Sequence, residues 1–230
     1  MSAKEVRFVG LIGLGTVAVF LVAFLVDPVP PGAGTAGSAV INHASDFSAA
    51  DRTAAFFFGL SGAGLLVLVA GLRQWLADIS TAPGWWGTAM LSGAILASAM
   101  LASTSVLWFT LASNAQLDAG VASALGDAAN YGFVFAGFGV LVLVGSASAI
   151  MLSMYGPLVY LGRFGFVVTL LQVPYLLTAF FTSGPMQAGS IVTIIGFLGT
   201  GVWVSSVSIT LLMFARLMAA ASAPAPSAAR

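Results

Sequence analysis

Residues 131–153 read YGFVFAGFGVLVLVGSASAIMLS; no charge interrupts them, and apolar residues fall at every angle around a helix. A soluble helix confines its apolar residues to one stripe, whereas a helix apolar all round borders lipid or other helices. Taken from Ala128 to Ser153, the run exceeds the roughly 20 residues needed to cross a bilayer's hydrocarbon core. Working outward, five further stretches meet the same criterion: Phe8–Val26, Ala54–Trp75, Trp85–Ala112, Leu161–Phe181 and Ile191–Phe214. None alternates in polarity over about ten residues as a barrel strand would. The sequence therefore predicts an all-α membrane protein, a six-transmembrane-helix bundle. One membrane domain is expected over residues 1–218, with a disordered cytoplasmic tail over 219–230.

Composition agrees. Hydrophobic residues make up 60% of the chain and charged residues only 6%. A soluble domain carries about 25% charged residues, so most of this surface must face lipid. Zero formal net charge leaves no basic field for nucleic acid. The absence of cysteine removes disulfides, thiolate nucleophiles and Cys metal ligands. The Ala, Gly and Val bias reads as codon composition and points to the plasma (inner) membrane of a bacterium. The start MSAKEVR resembles the basic end of a secretory leader, but the apolar run at 8–26 outlasts the roughly 7–15 residues of a leader core. Span one is expected to be retained.

Charges then set orientation. With the N-terminus inside, alternation places Lys4, Arg7, Arg73, Arg163, Arg216 and Arg230 in the cytoplasm, with Glu5 and Asp78. Outside fall Asp27, Asp46, Asp51, Asp118 and Asp127, with Arg52 the only cation. Lys and Arg are retained on the cytoplasmic side during insertion, so both termini are expected inside.

The one long connection is extracytoplasmic, over 27–53. Pro28, Pro30 and Pro31 make its start extended, and Ser45 or Ser48 is placed to cap the following helix. A short surface helix ending at Gly126 is expected in the connection before span four. Asp51 and Asp127 each precede a span and stand in similar contexts, DRTAAFFFGLSGAGLLVLV and DAANYGFVFAGFGVLVLV, a resemblance compatible with internal duplication. Helix capping is the plain reading of both acids, since the first N–H groups of a helix lack partners. The sharper reading has Asp51, Asp127, Arg52, His43 and Asn130 lining one extracytoplasmic pocket.

His43 and Asp46 resemble half a metal site, but three or four ligands are needed, so no metal is expected. Nor is a cofactor: one histidine cannot supply a bis-histidine haem, and no span offers a lysine for a retinal Schiff base. No ionisable residue lies near a span centre, where proton- and ion-coupled carriers place theirs. What remains is neutral. Gln172, two positions before Pro174, and Trp203 at similar depth are expected to form an intramembrane polar layer, with Ser205 or Ser206 as alternative partners. Glycine clusters GLIGLG, GLSGAG, GFG and GFLGTG read as helix-contact faces.

Three functions compete. The first is a non-catalytic scaffold, sensor or accessory subunit presenting its outer loop. The second is a transporter or channel for a neutral or apolar solute, using the layer around Gln172. The third is a membrane enzyme acting on lipid or quinone. Expected partners are the lipid bilayer, other membrane subunits or further copies of the chain, and no nucleic acid.

Overall fold

The computed structural model describes residues 1–26, 30–114, 116–181, 184, 186–188 and 191–222. Asp27, Pro28 and Arg230 lie outside the described residues. Among those described there is no strand. Within the described residues, six helices are long and apolar enough to cross a membrane: α1 (Ala3–Val26), α3 (Ser48–Ile79), α4 (Trp85–Ser113), α5 (Ala119–Leu152), α6 (Pro157–Leu177) and α7 (Ile191–Ala221). A shorter helix, α2 (Gly37–Asp46), lies between the first two spans. The protein is a polytopic, all-α membrane protein.

Local chemistry sets several helix ends. Ser2 and Glu5 form a reciprocal cap at the start of α1: Ser2 N–H donates to Glu5 Oε2 (2.6 Å) and Glu5 N–H to Ser2 Oγ (3.3 Å). Asp118 caps α5, accepting from the N–H groups of Gly120 (2.8 Å) and Val121 (3.4 Å). Before α6, Gly156 has φ of 71°, a left-handed conformation that favours glycine, and Pro157 follows in the first turn. The segment expected as tail begins as helix: residues 219–221 continue α7.

The spans form a closed ring. Each packs on its neighbours in the order α1, α3, α4, α5, α6, α7, and α7 returns to α1. Because lipid is as apolar as leucine, such contacts depend on close packing. The tightest crossing joins α4 and α5. A β-carbon on Gly93 would lie 2.6 Å from Gly139 O, and one on Gly139 would lie 2.5 Å from Gly93 O. At the α1–α7 seam a β-carbon on Gly10 would lie 2.9 Å from Ser208 O. Gly15, by contrast, has nothing within 4 Å, so not every residue of GLIGLG is a contact.

The ring interior near the chain's N-terminal end is filled by Leu68, Leu72, Leu143, Leu211 and Trp203. Lys4, Arg7, Arg73, Arg163 and Arg216 gather at that end. His43, Asp46, Asp51, Arg52, Asp118 and Asp127 gather at the other, which carries α2.

Candidate functional site

The end that carries α2 is built as a cap. Val40 of α2 packs with Ala122 and Ala129 of α5 and Trp108 and Leu111 of α4, and Ala44 one turn further on is buried as well. Gly37 meets the carbonyl of Ala119 so closely that no β-carbon fits. Ahead of α2, residues 30–36 form a strap tied to α5. Asp127 Oδ1 accepts the Gly34 N–H (2.7 Å), Ser123 Oγ donates to Thr35 O (3.1 Å), and Asn130 Nδ2 donates to Pro31 O (3.0 Å). Ala33 N–H donates to Ala188 O (3.4 Å), and Gln187 Nε2 donates to Ala33 O. Ala33 is thereby buried among Val134, Tyr175, Leu176 and Phe197, over the mouth of the ring.

A second attachment holds α2 to α3. His43 Nε2 lies 3.5 Å from Asp51 Oδ1, and Asp51 is 2% exposed. The corner between the helices is closed by Phe47 N–H donating to His43 O (2.9 Å) and Asp51 N–H to Phe47 O (2.9 Å). Burying a carboxylate is costly unless a partner offsets the lost hydration. The imidazole facing it makes α2 part of what keeps Asp51 buried.

Neither acid is an N-cap. Helix α3 starts at Ser48 behind Phe47, with no side-chain cap, so Asp51 sits in its first turn. Helix α5 starts at Ala119, so the expected short helix ending at Gly126 is continuous with the span, and Asp127 lies within it. The reason is tertiary: Gly126 lies against Val40 of α2, a contact that supports the extra helical turns outside the apolar slab. Ser45 does not cap α3 either; its hydroxyl donates to Asn42 O (2.9 Å).

The five residues expected in one outer pocket therefore divide. Asp127 and Asn130 hold the strap, and His43 and Asp51 join α2 to α3. Arg52 is exposed; its Nε donates to Ser48 O (3.2 Å) and its side chain lines a separate cleft with Ser45, Ser48 and Asn114. Among the described residues no three His, Cys, Asp or Glu side chains come together as a metal-binding group.

Below the strap the ring is filled with aromatic rings. Phe20, Phe58, Phe133, Phe197 and Tyr175 interlock edge to face or tilted, with centroids 5.0–5.8 Å apart. Beneath them is a cavity of about 60 Å³ lined by Thr16, Ser61, Leu65, Leu101, Val140 and Thr200, among others. Its hydroxyls turn back to their own helices, Thr16 to Ile12 O, Ser61 to Phe58 O and Thr200 to Gly196 O. The walls thus present mainly carbon to the space.

Gln172 is 2% exposed and binds across to α7, its Nε2 donating to Gly196 O (3.1 Å) and Thr200 Oγ1 (3.2 Å). Trp203 is not its partner. The indole packs beside Gly165 of α6 and near Ser148 of α5, and among the described residues its buried Nε1 has no hydrogen-bond acceptor. Ser205 and Ser206 donate to Gly201 O and Val202 O on their own helix. The polar layer is thus Gln172 with Thr200 and the Gly196 carbonyl. Nearby, Tyr175 donates its hydroxyl to Phe133 O across the α5–α6 contact. Both Thr200 and Tyr175 were hidden in sequence. Tyr175 left a trace only in the glycines opposite it, since a β-carbon on Gly196 would lie 3.0 Å from Tyr175 Cγ and none fits at Gly137; Thr200 left none.

Comparison with protein-family models, curated proteins and solved structures finds no match to this chain.

Proposed function

We propose that this chain is a non-catalytic component of a bacterial plasma membrane, with both termini cytoplasmic, acting as a sensory or accessory subunit through its extracytoplasmic cap. The observation that carries the reading is the folded-down connection. A segment of this length in a compact bundle is usually functional or mobile. Here residues 30–46 are fixed by side chains from α5, by the 186–188 segment and by the His43–Asp51 pair. Such a cap presents one defined surface to the outside, and any partner or signal that shifts it acts directly on the mouth of the ring. The basic residues collected at the opposite end support the orientation.

Transport of a small apolar solute is the second reading, favoured by the cavity bounded by five spans beneath the aromatic layer. Its size and carbon-lined walls leave no place for a hydrated solute. The experiment is purification of the full chain in mild detergent with mass spectrometry of what remains bound, alongside reconstitution into liposomes. A stoichiometric membrane subunit that is lost when the strap is cut free by Asp127→Ala with Asn130→Ala supports the accessory role. Solute flux in liposomes that is altered by Phe197→Ala refutes it and favours transport.

A further inference from the structure

Three of the chain's seven Lys and Arg side chains line one groove. It lies where α1 begins and α7 ends. Lys4 and Arg7 stand on one side and Arg216 on the other, around a space of about 320 Å³ floored by Leu11, Leu212 and Ala215. Gly10 explains its position. There α1 touches the Ser208 carbonyl and Leu212 of α7, and beyond that contact Ala3, Ala215 and Ala219 are too small to fill the gap between the helix ends.

Among the described residues the three cations are uncompensated. Glu5 accepts from both the N–H (2.6 Å) and the hydroxyl (3.0 Å) of Ser2. Asp78 accepts from the N-terminal amino group (2.5 Å) and from Gln74 (3.0 Å). Among the described residues, none of Lys4, Arg7 and Arg216 forms an ion pair with a carboxylate. Like charges around one cleft repel, and an anion placed between them relieves the repulsion. The floor narrows the choice of anion. Leu11 is 51% exposed and continues into lipid-facing Phe8 and Met213, so the groove opens sideways into the bilayer as well as toward water. A soluble anion gains nothing from that apolar floor. An amphiphile with a phosphate at the rim and a chain along Leu11 and Leu212 uses all of it.

We infer that this groove binds an anionic phospholipid, its phosphodiester held by Lys4, Arg7 and Arg216 and one acyl chain laid in the α1–α7 seam. Basic pockets between spans recognise phosphate headgroups in this way, and guanidinium is the side chain best matched to phosphate oxygens. With the termini inside, as proposed above, the lipid belongs to the cytoplasmic leaflet; the groove itself is independent of orientation.

The test is native mass spectrometry of the delipidated full chain in neutral detergent. It is titrated separately with phosphatidylglycerol, cardiolipin, phosphatidylcholine and inorganic phosphate. The anionic lipids should bind at least about tenfold more tightly than phosphatidylcholine, and inorganic phosphate should neither bind at the same concentration nor compete. Each Lys or Arg near an anionic surface contributes on the order of a fivefold effect. Arg7→Gln and Arg216→Gln should therefore each weaken anionic-lipid binding about fivefold, and the triple variant with Lys4→Gln roughly a hundredfold. Arg73→Gln and Arg163→Gln, at the same end but outside the groove, should leave it unchanged. Thermal melting of each variant without lipid reports folding, and the two single variants decide the matter if the triple one does not fold. Equal binding of phosphatidylcholine, equal loss in the Arg73 control, or displacement of lipid by phosphate alone would overturn the assignment. Detergent has no leaflets, so a failure here is distinct from a failure of the proposed orientation.

Discussion

The α4–α5 crossing gives the sharpest energetic expectation. A β-carbon added at Gly139 would lie 2.5 Å from Gly93 O, where ordinary contact begins at 3.4 Å. The obstacle is backbone, with Ala97 N closer still at 2.4 Å, so no rotamer relieves it, and the helices must part by about 1 Å. A gap of that size forfeits a quarter to a half of the dispersion between facing atoms. Overpacking of this kind costs about 1–3 kcal/mol. Gly93→Ala and Gly139→Ala should each destabilise the bundle by that amount. Together they should cost less than the sum, by at least about 0.5 kcal/mol, because the first substitution opens the space the second needs. Gly15→Ala, with nothing within 4 Å, is the control and should change stability little. Denaturation of purified protein in mixed micelles measures all four variants. Strict additivity, or a Gly93→Ala variant as stable as the Gly15 control, refutes the close crossing.

Three further expectations concern polar contacts. Thr200→Val removes one acceptor of Gln172 and should cost only about 0.6 kcal/mol, the usual scale for interhelical hydrogen bonds in membranes; Trp203→Phe should show no coupling to Gln172→Leu in a double-mutant cycle. Asp127→Ala deletes a charge-assisted bond to the strap, an interaction of roughly 1.5–3 kcal/mol when shielded from water and less at this half-buried site. Hydrogen exchange at Gly34 should speed up, about tenfold for each 1.4 kcal/mol lost, while amides in the middle of α5 stay protected. His43→Gln removes the imidazole facing Asp51, so protease cleavage within 37–47 should accelerate, whereas Arg52→Gln, on the exposed side of α3, should leave it unchanged.

The spans were legible because the cost of placing charge in hydrocarbon is written residue by residue. Trp85–Ala112 was expected and Trp85–Ser113 is observed. Helix ends outside the slab were not legible, since hydropathy reports lipid burial and not helicity. Thus α3 begins before Ala54 and α5 before Ala128, both extended by packing on α2. Helix α2 itself carried a faint signal, Val40, Ile41 and Ala44 spaced for one face amid Ser, Asn, His and Asp. The prolines just before it and the small residues around it obscure that spacing. Within the membrane, Gln172 was recognisable as a buried amide needing a partner, but which residue of α7 faces it depends on helix rotation. A shift of one turn separates Thr200 from Trp203, and nothing local encodes it. The acids of the cap read as terminal groups; His43 is grouped with Asp51 in the expected outer pocket, whereas the partner of Asp127, Gly34, arises from the return path of the strap.

Topology mapping tests the central claim most directly. The chain has no cysteine, so single substitutions at Ser45, Thr81, Asn114 and Tyr155 give clean exposed probes for a membrane-impermeant maleimide in intact cells. Six spans with cytoplasmic termini and an external cap predict labelling at 45 and 114 in intact cells, and at 81 and 155 only after lysis. Labelling of 81 and 155 from opposite sides, or of either together with 45, would contradict the span count, and labelling of 81 and 155 in intact cells with 45 and 114 only after lysis would contradict the orientation.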